Sequence, residues 1–352
     1  MIELAQTIQP PKTSLPVVIF GAGSIVSDAH LPAYAKAGFA VAGIFDPDHA
    51  KASALAKTHA TKAFATMAEA TSLGTKAVYD LAVPPAAIAS ILRALPDGAV
   101  VLIQKPMGSD LAAADEILAI CRARNLHAAM NFQLRFAPMA LALKDAIAHG
   151  LLGEVVDFDA WLALDTPWHL WAFLADLPRV EILLHSIHYL DFVRDIMGNP
   201  QGIHAKTLGH PSSTVSNTRT AMILDYGPHT RCALSINHNH AFGRKFQACE
   251  FRICGTKGAA YLKLGVNLDY PKGEPDELWL NTGDNWEQIP LQGNWFIEAF
   301  VGHVTQVMRF AVGEDSALQG SVEDAWHTMA LVEAAYESSA LPAHSIKKAP
   351  NA

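Results

Sequence analysis

The chain has 352 residues, of which 51% are hydrophobic and 17% are charged. This much apolar material excludes extended disorder, and the length is typical of two domains at roughly 150 residues each. The formal net charge is −8, so the chain lacks the basic excess that phosphate binding requires. We therefore expect no nucleic-acid partner.

The sequence shows no features of a membrane or secreted protein. No apolar run reaches the roughly 18 residues of a membrane span, and the N-terminus has no basic start followed by an apolar stretch. The cysteines form no C-x-x-C pair, and their spacing fits neither a disulfide framework nor a zinc site. We expect a cytoplasmic protein without a membrane partner and with four buried free thiols: Cys121, Cys232, Cys249 and Cys254.

Predicted strands and helices alternate over the first part of the chain. Short apolar runs predict strands at 15–20, 39–46, 78–83, 98–104 and 127–132. The stretches between them are helical in character, most clearly at 51–57, 86–95 and 111–124. Such alternation predicts a parallel sheet that is covered on both faces.

The pattern changes near residues 130–136, where we place a domain boundary. Helices are predicted at 137–149, 181–197, 294–312 and 321–340, and strands at 155–164, 219–226, 230–237, 246–254 and 258–264. Successive strands with short turns favour an antiparallel sheet. Ser321, with Asp324 three residues on, is expected to begin the last helix.

A glycine turn joins the first predicted strand to a helix. Gly21 permits a tight turn, Gly23 lets the backbone approach a pyrophosphate, and Ser24 and Ile25 lie where a helix N-terminus would bind the anion. Asp46 ends the second strand, where a carboxylate accepts hydrogen bonds from ribose hydroxyls and repels a 2′-phosphate. The sequence thus predicts binding of NAD rather than NADP, although an unliganded turn would look similar.

Lys105 follows the fourth predicted strand directly, in Gln104-Lys105-Pro106. Ligands of open parallel sheets bind outside the carboxyl ends of the strands, so this lysine is placed at the cleft. A surface lysine before a turn is the alternative.

Taken together, these motifs resemble those of the Gfo/Idh/MocA oxidoreductases. The resemblance rests on the glycine turn, HLPAY (30–34), FDPD (45–48), VPP (83–85), QKP (104–106) and HSIHYLD (185–191). It implies an N-terminal Rossmann domain over 1–133, and a C-terminal substrate-binding and oligomerisation domain over 134–352 with a mostly antiparallel sheet. It also implies that Val83, Pro84, Gln104 and Lys105 border the cofactor.

The resemblance further implies that Lys105 and His188 are catalytic. An alcohol dehydrogenase needs a hydride acceptor, a base for the hydroxyl proton and a donor to the developing alkoxide, and we assign these roles to the nicotinamide, His188 and Lys105. His185, three residues before His188, shares its helix face. No metal is expected, because no carboxylates at a suitable spacing are evident.

The chain departs from the family motif at three positions. Leu184 replaces the aspartate four residues before the histidine, Ser186 replaces a glycine, and Gln104 replaces the glutamate before the lysine. We hypothesise that His185 or Glu181 takes over part of the missing aspartate's role.

Several other residues are candidates for substrate contact. Trp168 and Trp171 offer indole faces that pack well on sugar rings, although core packing is an equal alternative. Arg135 is expected in either a ligand contact or a structural salt bridge. The segment 237–240 carries two asparagines and two histidines at a strand end, lining either a pocket or an oligomer contact.

These expectations combine into an NAD-dependent dehydrogenase of a secondary hydroxyl in a sugar, sugar derivative or cyclic polyol. The expected assembly is a homo-oligomer, a dimer or tetramer. Two alternatives remain open: transient oxidation to a 3-keto sugar with tightly bound NAD, and a catalytically inactive NAD-binding sensor.

Overall fold

A computed structural model describes residues 3–269, 272–283 and 285–347 of the chain. The N-terminal sheet is parallel, with strand order β2-β1-β3-β4-β5. Its strands are β1 (Val17–Phe20), β2 (Val41–Phe45), β3 (Val78–Leu81), β4 (Val100–Ile103) and β5 (His127–Met130). They are short, and β1 and β3 at the centre are wholly buried, as expected for a parallel sheet with both faces covered.

The helices that connect these strands begin at residues suited to the role. Asp48 and Asp110 accept hydrogen bonds from backbone N–H groups in the first turns of α2 and α5, which satisfies donors that the helix itself leaves free. The helices are α1 (Leu31–Ala37), α2 (His49–Thr58), α3 (Met67–Ala70), α4 (Pro85–Ala94) and α5 (Leu111–Ala123), with a π-type turn at Val26–His30 before α1.

The second sheet has eight strands in the order β13-β12-β11-β10-β6-β9-β8-β7. Only the β6–β9 pair is parallel, so the expected mostly antiparallel sheet is confirmed. The strands are β6 (Val155–Ala163), β7 (Gly202–Leu208), β8 (Arg219–Asp225), β9 (Arg231–Asn237), β10 (Ala248–Gly255), β11 (Ala259–Lys263), β12 (Glu277–Asn281) and β13 (Glu287–Ile289).

Four helices follow the parallel-sheet region in the chain: α6 (Pro138–Ala148), α7 (Ile187–Met197), α8 (Glu298–Ala311) and α9 (Val322–Ala340). A π-type turn, Glu181–Ser186, runs directly into α7. Ser321 caps α9 as predicted, since its hydroxyl accepts from the Asp324 N–H at 3.3 Å. Short 3₁₀ turns occur at Gly74–Lys76, Gln133–Phe136, Trp168–Leu170, Ala172–Asp176, Arg244–Phe246 and Gly265–Asn267.

The two parts of the chain share a hydrophobic core. Val304, Val307 and Met308 of α8 pack with Val17 and Ile19 of β1. At the other end of the chain, the Ala5 N–H donates to the Asp145 carboxylate at 2.9 Å. Helix α8 therefore follows the second sheet in sequence but covers the first sheet in space.

The four cysteine thiols differ in their burial, whereas the sequence predicts that all of them are buried. Cys121, Cys232 and Cys249 are buried, but Cys254 is exposed because it points outward from β10 beside Arg252. The expectation of four buried thiols is therefore wrong for Cys254. Within the described ranges, no helix combines the length and apolarity needed to cross a bilayer.

Candidate active site

The glycine turn lies at the carboxyl end of β1, and part of its backbone is exposed. Gly21 has φ +105°, and a Cβ there would lie 2.2 Å from the Ala82 carbonyl oxygen and 3.4 Å from Val83 Cγ1, so only glycine fits. Gly23 and Ser24 are exposed, and a Cβ on Gly23 would meet no atom within 4 Å. The turn thus leaves room for a pyrophosphate against its backbone.

The structure gives Asp46 a role within the protein that the sequence did not predict. One carboxylate oxygen accepts from the Ala22 N–H at 2.9 Å, and the other accepts from the Asp48 N–H at 2.8 Å. Each carboxylate oxygen can accept a further hydrogen bond, so Asp46 can still bind ribose hydroxyls while it fixes the glycine turn. Val26, in place of a third glycine, is fully buried. These residues fit a dinucleotide.

A cavity of about 1130 Å³ opens beside this edge of the sheet. Pro84, next to Val83, is part of its wall, and so are Trp168 and Trp171. Most of the remaining wall is aliphatic, formed by Pro85, Leu111, Ala112, Leu164, Pro167, Leu174, Leu177, Pro178, Leu183 and Leu184. The two tryptophans predicted to contact substrate therefore border the same cavity as Pro84, which is predicted to lie beside the cofactor.

Lys105 reaches from the end of β4 to the histidine segment, which is the π-type turn and the start of α7 that carry His185 and His188. Its Nζ donates to the Leu184 carbonyl oxygen at 2.8 Å, and its backbone N–H donates to Gln104 Oε1 at 2.9 Å. Burial lowers the pKa of Lys105 to about 8. The Lys105–Pro106 bond is cis.

The two histidines lie at different depths. His185 is part of the cavity wall, whereas His188, one turn later, is only 7% exposed and packs edge-on against Trp295 and Phe132. Burial, with the positive charge of Lys105 adding to it, lowers the pKa of His188 well below its usual value. The pKa of His185 is lowered as well, first by burial and then by the neighbouring histidines and Lys105. Both imidazoles are thus neutral near pH 7.

A group of residues beside His185 was only partly anticipated from the sequence. Glu181 is fully buried and accepts hydrogen bonds from the hydroxyls of Ser186 and Thr220. Its Oε1 lies 3.5 Å from His238 Nε2, and the rings of His185 and His238 lie 4.2 Å apart. The expectation of no metal rested on the absence of a suitably placed carboxylate, and the structure supplies one.

Arg135 does not border the cavity. Its guanidinium binds Asp191 through two hydrogen bonds of 2.6 Å and lies 3.4 Å from Asp195 and 2.7 Å from Asp324. Of the two roles the sequence left open, the structure shows the salt bridge. The arginine joins the segment after β5 to α7 and α9, and it holds the histidine helix in place.

This arrangement defines a Rossmann-type oxidoreductase with its cavity between two sheets. Sequence comparison identifies the chain more closely. The family described as "Oxidoreductase family, NAD-binding Rossmann fold" matches residues 15–132, and the Gfo/Idh/MocA C-terminal domain matches residues 140–261. The chain belongs to the Gfo/Idh/MocA family.

Individual relatives are distant. A 1,5-anhydro-D-fructose reductase from Ensifer adhaerens is 25% identical over 203 residues, which cover 57% of this chain and 59% of the reductase. A D-apiose dehydrogenase from Rhizobium rhizogenes is 23% identical over 68% of this chain and 70% of its own length. An oxidoreductase from Agrobacterium radiobacter, solved with NAD⁺, L-tartaric acid and magnesium, shares the fold with a TM-score of 0.79 at 20% identity. That match covers 93% of this chain and 97% of the other.

Proposed function

We propose that the protein is an NAD-dependent dehydrogenase that acts on a secondary hydroxyl of a sugar, sugar derivative or cyclic polyol. The observation that carries the proposal is the meeting of Lys105 with the histidine segment at the wall of the cavity. Two of the relatives are named for reactions of carbohydrates, which supports this substrate class.

The cofactor site is proposed on the glycine turn and the adjoining strand ends. Gly21, Gly23, Ser24 and Ile25 would hold the pyrophosphate, and Asp46 would select the unphosphorylated ribose of NAD. The nicotinamide would lie near Val83, Pro84, Gln104 and Lys105. When bound, the cofactor accepts or returns a hydride at the carbinol carbon.

Lys105 is the proposed donor to the substrate oxygen. Its ammonium group already donates to a carbonyl oxygen at 2.8 Å, so a substrate oxygen at the cavity wall could take or share this hydrogen bond. A positive donor placed where negative charge develops lowers the barrier to alkoxide formation.

His188 is the proposed proton acceptor. Its imidazole is neutral near pH 7 for the reason given above, and its Nδ1 is buried without a hydrogen-bond partner. As the hydroxyl proton moves to His188, the oxygen keeps the electron pair that forms the carbonyl. His185, Trp168 and Trp171 would orient the ring of the substrate.

The test is to incubate the purified chain with NAD⁺ or NADP⁺ and a panel of sugars and polyols and to follow reduced nicotinamide by absorbance. We expect NADH from at least one substrate. We expect Lys105→Ala to lower kcat by at least about 100-fold, as on loss of an oxyanion donor, with the Kd for NAD⁺ largely kept.

Lys57→Ala is the matched control, because Lys57 is exposed on α2 away from the cavity. Unchanged turnover in Lys105→Ala would reject the assigned role. A chain that is purified with bound nicotinamide and forms a 3-keto product without releasing NADH would point to transient oxidation.

A further inference from the structure

Three side chains beside the cavity form an arrangement of metal-ligand type, and the proposed reaction gives none of them a proton or hydride to transfer. Glu181, His185 and His238 each offer one ligand atom, and these atoms all lie within 4.8 Å of one another. Two of the residues come from the π-type turn before α7, and the third follows the end of β9.

The buried carboxylate of Glu181 has few polar partners. Its carboxylate is fully buried, and its hydrogen-bond donors are two neutral hydroxyls. Among the described residues, its one ion-pair partner is His238. An ionised carboxylate is costly to bury unless a cation or a full set of hydrogen bonds compensates it.

The surroundings of the histidines leave ring nitrogens free for a ligand. Thr166 Oγ1 lies 2.8 Å from His238 Nδ1, so that Nδ1–H can donate to the hydroxyl while the lone pair of Nε2 faces Glu181. Both His238 Nε2 and His185 Nδ1 are buried without a hydrogen-bond partner. A metal-binding histidine characteristically donates its other N–H to an oxygen, as His238 can here.

We propose that Glu181, His185 and His238 form a binding site for a divalent transition-metal ion, best matched by Zn²⁺. Two imidazoles and one carboxylate suit Zn²⁺, whereas Mg²⁺ and Ca²⁺ prefer all-oxygen sites. Tetrahedral ligands about 2.1 Å from zinc lie about 3.4 Å apart, so the three groups close on the ion by at most about 1.4 Å.

The position of the site connects it with the cavity. His185 belongs to the cavity wall, so a fourth coordination position on this side is open to water or to an oxygen of a bound ligand. Three protein ligands with an open position are the pattern of a catalytic rather than a structural zinc site. The hydroxyls of Ser186 and Thr220 would orient the ligating carboxylate.

The experiment measures metal binding without NAD or substrate, so its result is independent of the proposed dehydrogenase activity. The chain is stripped with a chelator and dialysed against Zn²⁺, with Mg²⁺ in a parallel arm, and Co²⁺ is used as a spectroscopic probe. We expect one tightly bound equivalent of Zn²⁺ per chain, a tetrahedral Co²⁺ spectrum, and no comparable binding of Mg²⁺.

Variants locate the bound ion. His238→Ala and Glu181→Gln are expected to raise the Kd for Zn²⁺ at least about 100-fold, and Thr166→Val about 10-fold, on the scale of lost ligands and supporting hydrogen bonds. His204→Ala, on the exposed face of β7, is the control and should bind like the wild type. Circular dichroism shows whether each variant folds, and Thr166→Val supplies the test if the others do not.

Either of two results would overturn the proposal. One is a wild-type chain that holds no Zn²⁺ after dialysis. The other is retention of full affinity in folded His238→Ala, Glu181→Gln or Thr166→Val, which would place the ion elsewhere among the chain's 16 histidines.

Discussion

Lys105 lies where a small change in its surroundings changes its charge near neutral pH. Burial lowers its pKa to about 8, and the side chain next to it in sequence is the neutral amide of Gln104 rather than the glutamate of the family motif. The residue before the lysine is therefore neutral in this chain, whereas it is negatively charged in the family motif.

A pH profile tests whether the protonated lysine is the active form. Since the Lys105 ammonium is lost as pH rises through its lowered pKa, we expect kcat/KM to fall above about pH 8. The low pKa of His188 keeps that base unprotonated at pH 7–8. Gln104→Glu adds a negative charge at the residue before Lys105, which favours the ammonium form and should move the fall to higher pH by about 1 unit.

Gln104→Asn is the control, since it keeps the position uncharged and should leave the alkaline fall where it is. A profile that rises through pH 8 instead would show that the neutral amine is the active form, and it would assign the base to Lys105.

For single residues, the sequence predicts the position of those that lie within one continuous motif. Lys105 and the glycine turn could be placed from their strand ends alone, because parallel strands present their carboxyl ends at one edge of a sheet. The pairing of Glu181 with His238 could not, because it depends on how the β9 end folds against the π-type turn. The choice between ligand contact and salt bridge for Arg135 also required the positions of Asp191, Asp195 and Asp324.

At the scale of elements, helix α8 is joined to the parallel sheet by a buried polar network. His303 Nδ1 contacts Asn131 Oδ1 at 3.0 Å, and its ring stacks on Phe136 at 4.4 Å. Beyond Asn131, His30 lies 2.6 Å from the Asp80 carboxylate. The network ties α8, the end of β5, the π-type turn before α1 and β3 together without reaching solvent.

The docking of α8 should therefore depend on pH. Burial lowers the pKa of His303 to about 3, while an unfolded histidine titrates near 6.5. Stability from keeping His303 neutral is present above about pH 6.5 and is lost as pH falls towards 3. Between pH 7 and pH 5 the free energy of unfolding should drop by about 2 kcal/mol from this group.

Urea denaturation of His303→Gln at both pH values checks this expectation. The variant removes the titrating group, so the pH-dependent loss should shrink by that amount whatever its overall stability. His327→Gln, at an exposed histidine of α9, should keep the wild-type dependence. An unchanged dependence in His303→Gln would show that His303 is protonated in the folded protein.

Buried elements were the most predictable from the sequence. The five parallel strands, α7 and α9 follow from apolar runs, periodicity and a helix cap. Strands β7, β12 and β13 were not predicted. They lie at or near the sheet edges, and neither β7 nor β13 contains a fully buried residue, so the apolar run that indicates a buried strand is missing there.

At the scale of the whole molecule, the eight-stranded sheet has one face covered by helices and one face exposed. The exposed face is not uniformly polar. Trp161 of β6 is 47% exposed and Ile223 of β8 is 56% exposed, and both point outward from neighbouring parts of the sheet. Tyr261 and Trp279 extend the same face across β11 and β12. Apolar groups gathered on an exposed surface of this kind are typical of a protein interface.

We therefore expect the chain to self-associate through this face as a dimer or tetramer. Ile223→Asp and Trp161→Asp should lower the mass measured by light scattering towards that of one chain, because each variant would bury a charge in the interface. Phe242→Asp provides the comparison, since Phe242 is even more exposed but lies in the loop after β9. If both sheet variants kept the wild-type mass while Phe242→Asp lost it, the interface would lie at that loop. A wild-type chain that stayed monomeric at high concentration would show that the tryptophan and isoleucine face solvent in the native state.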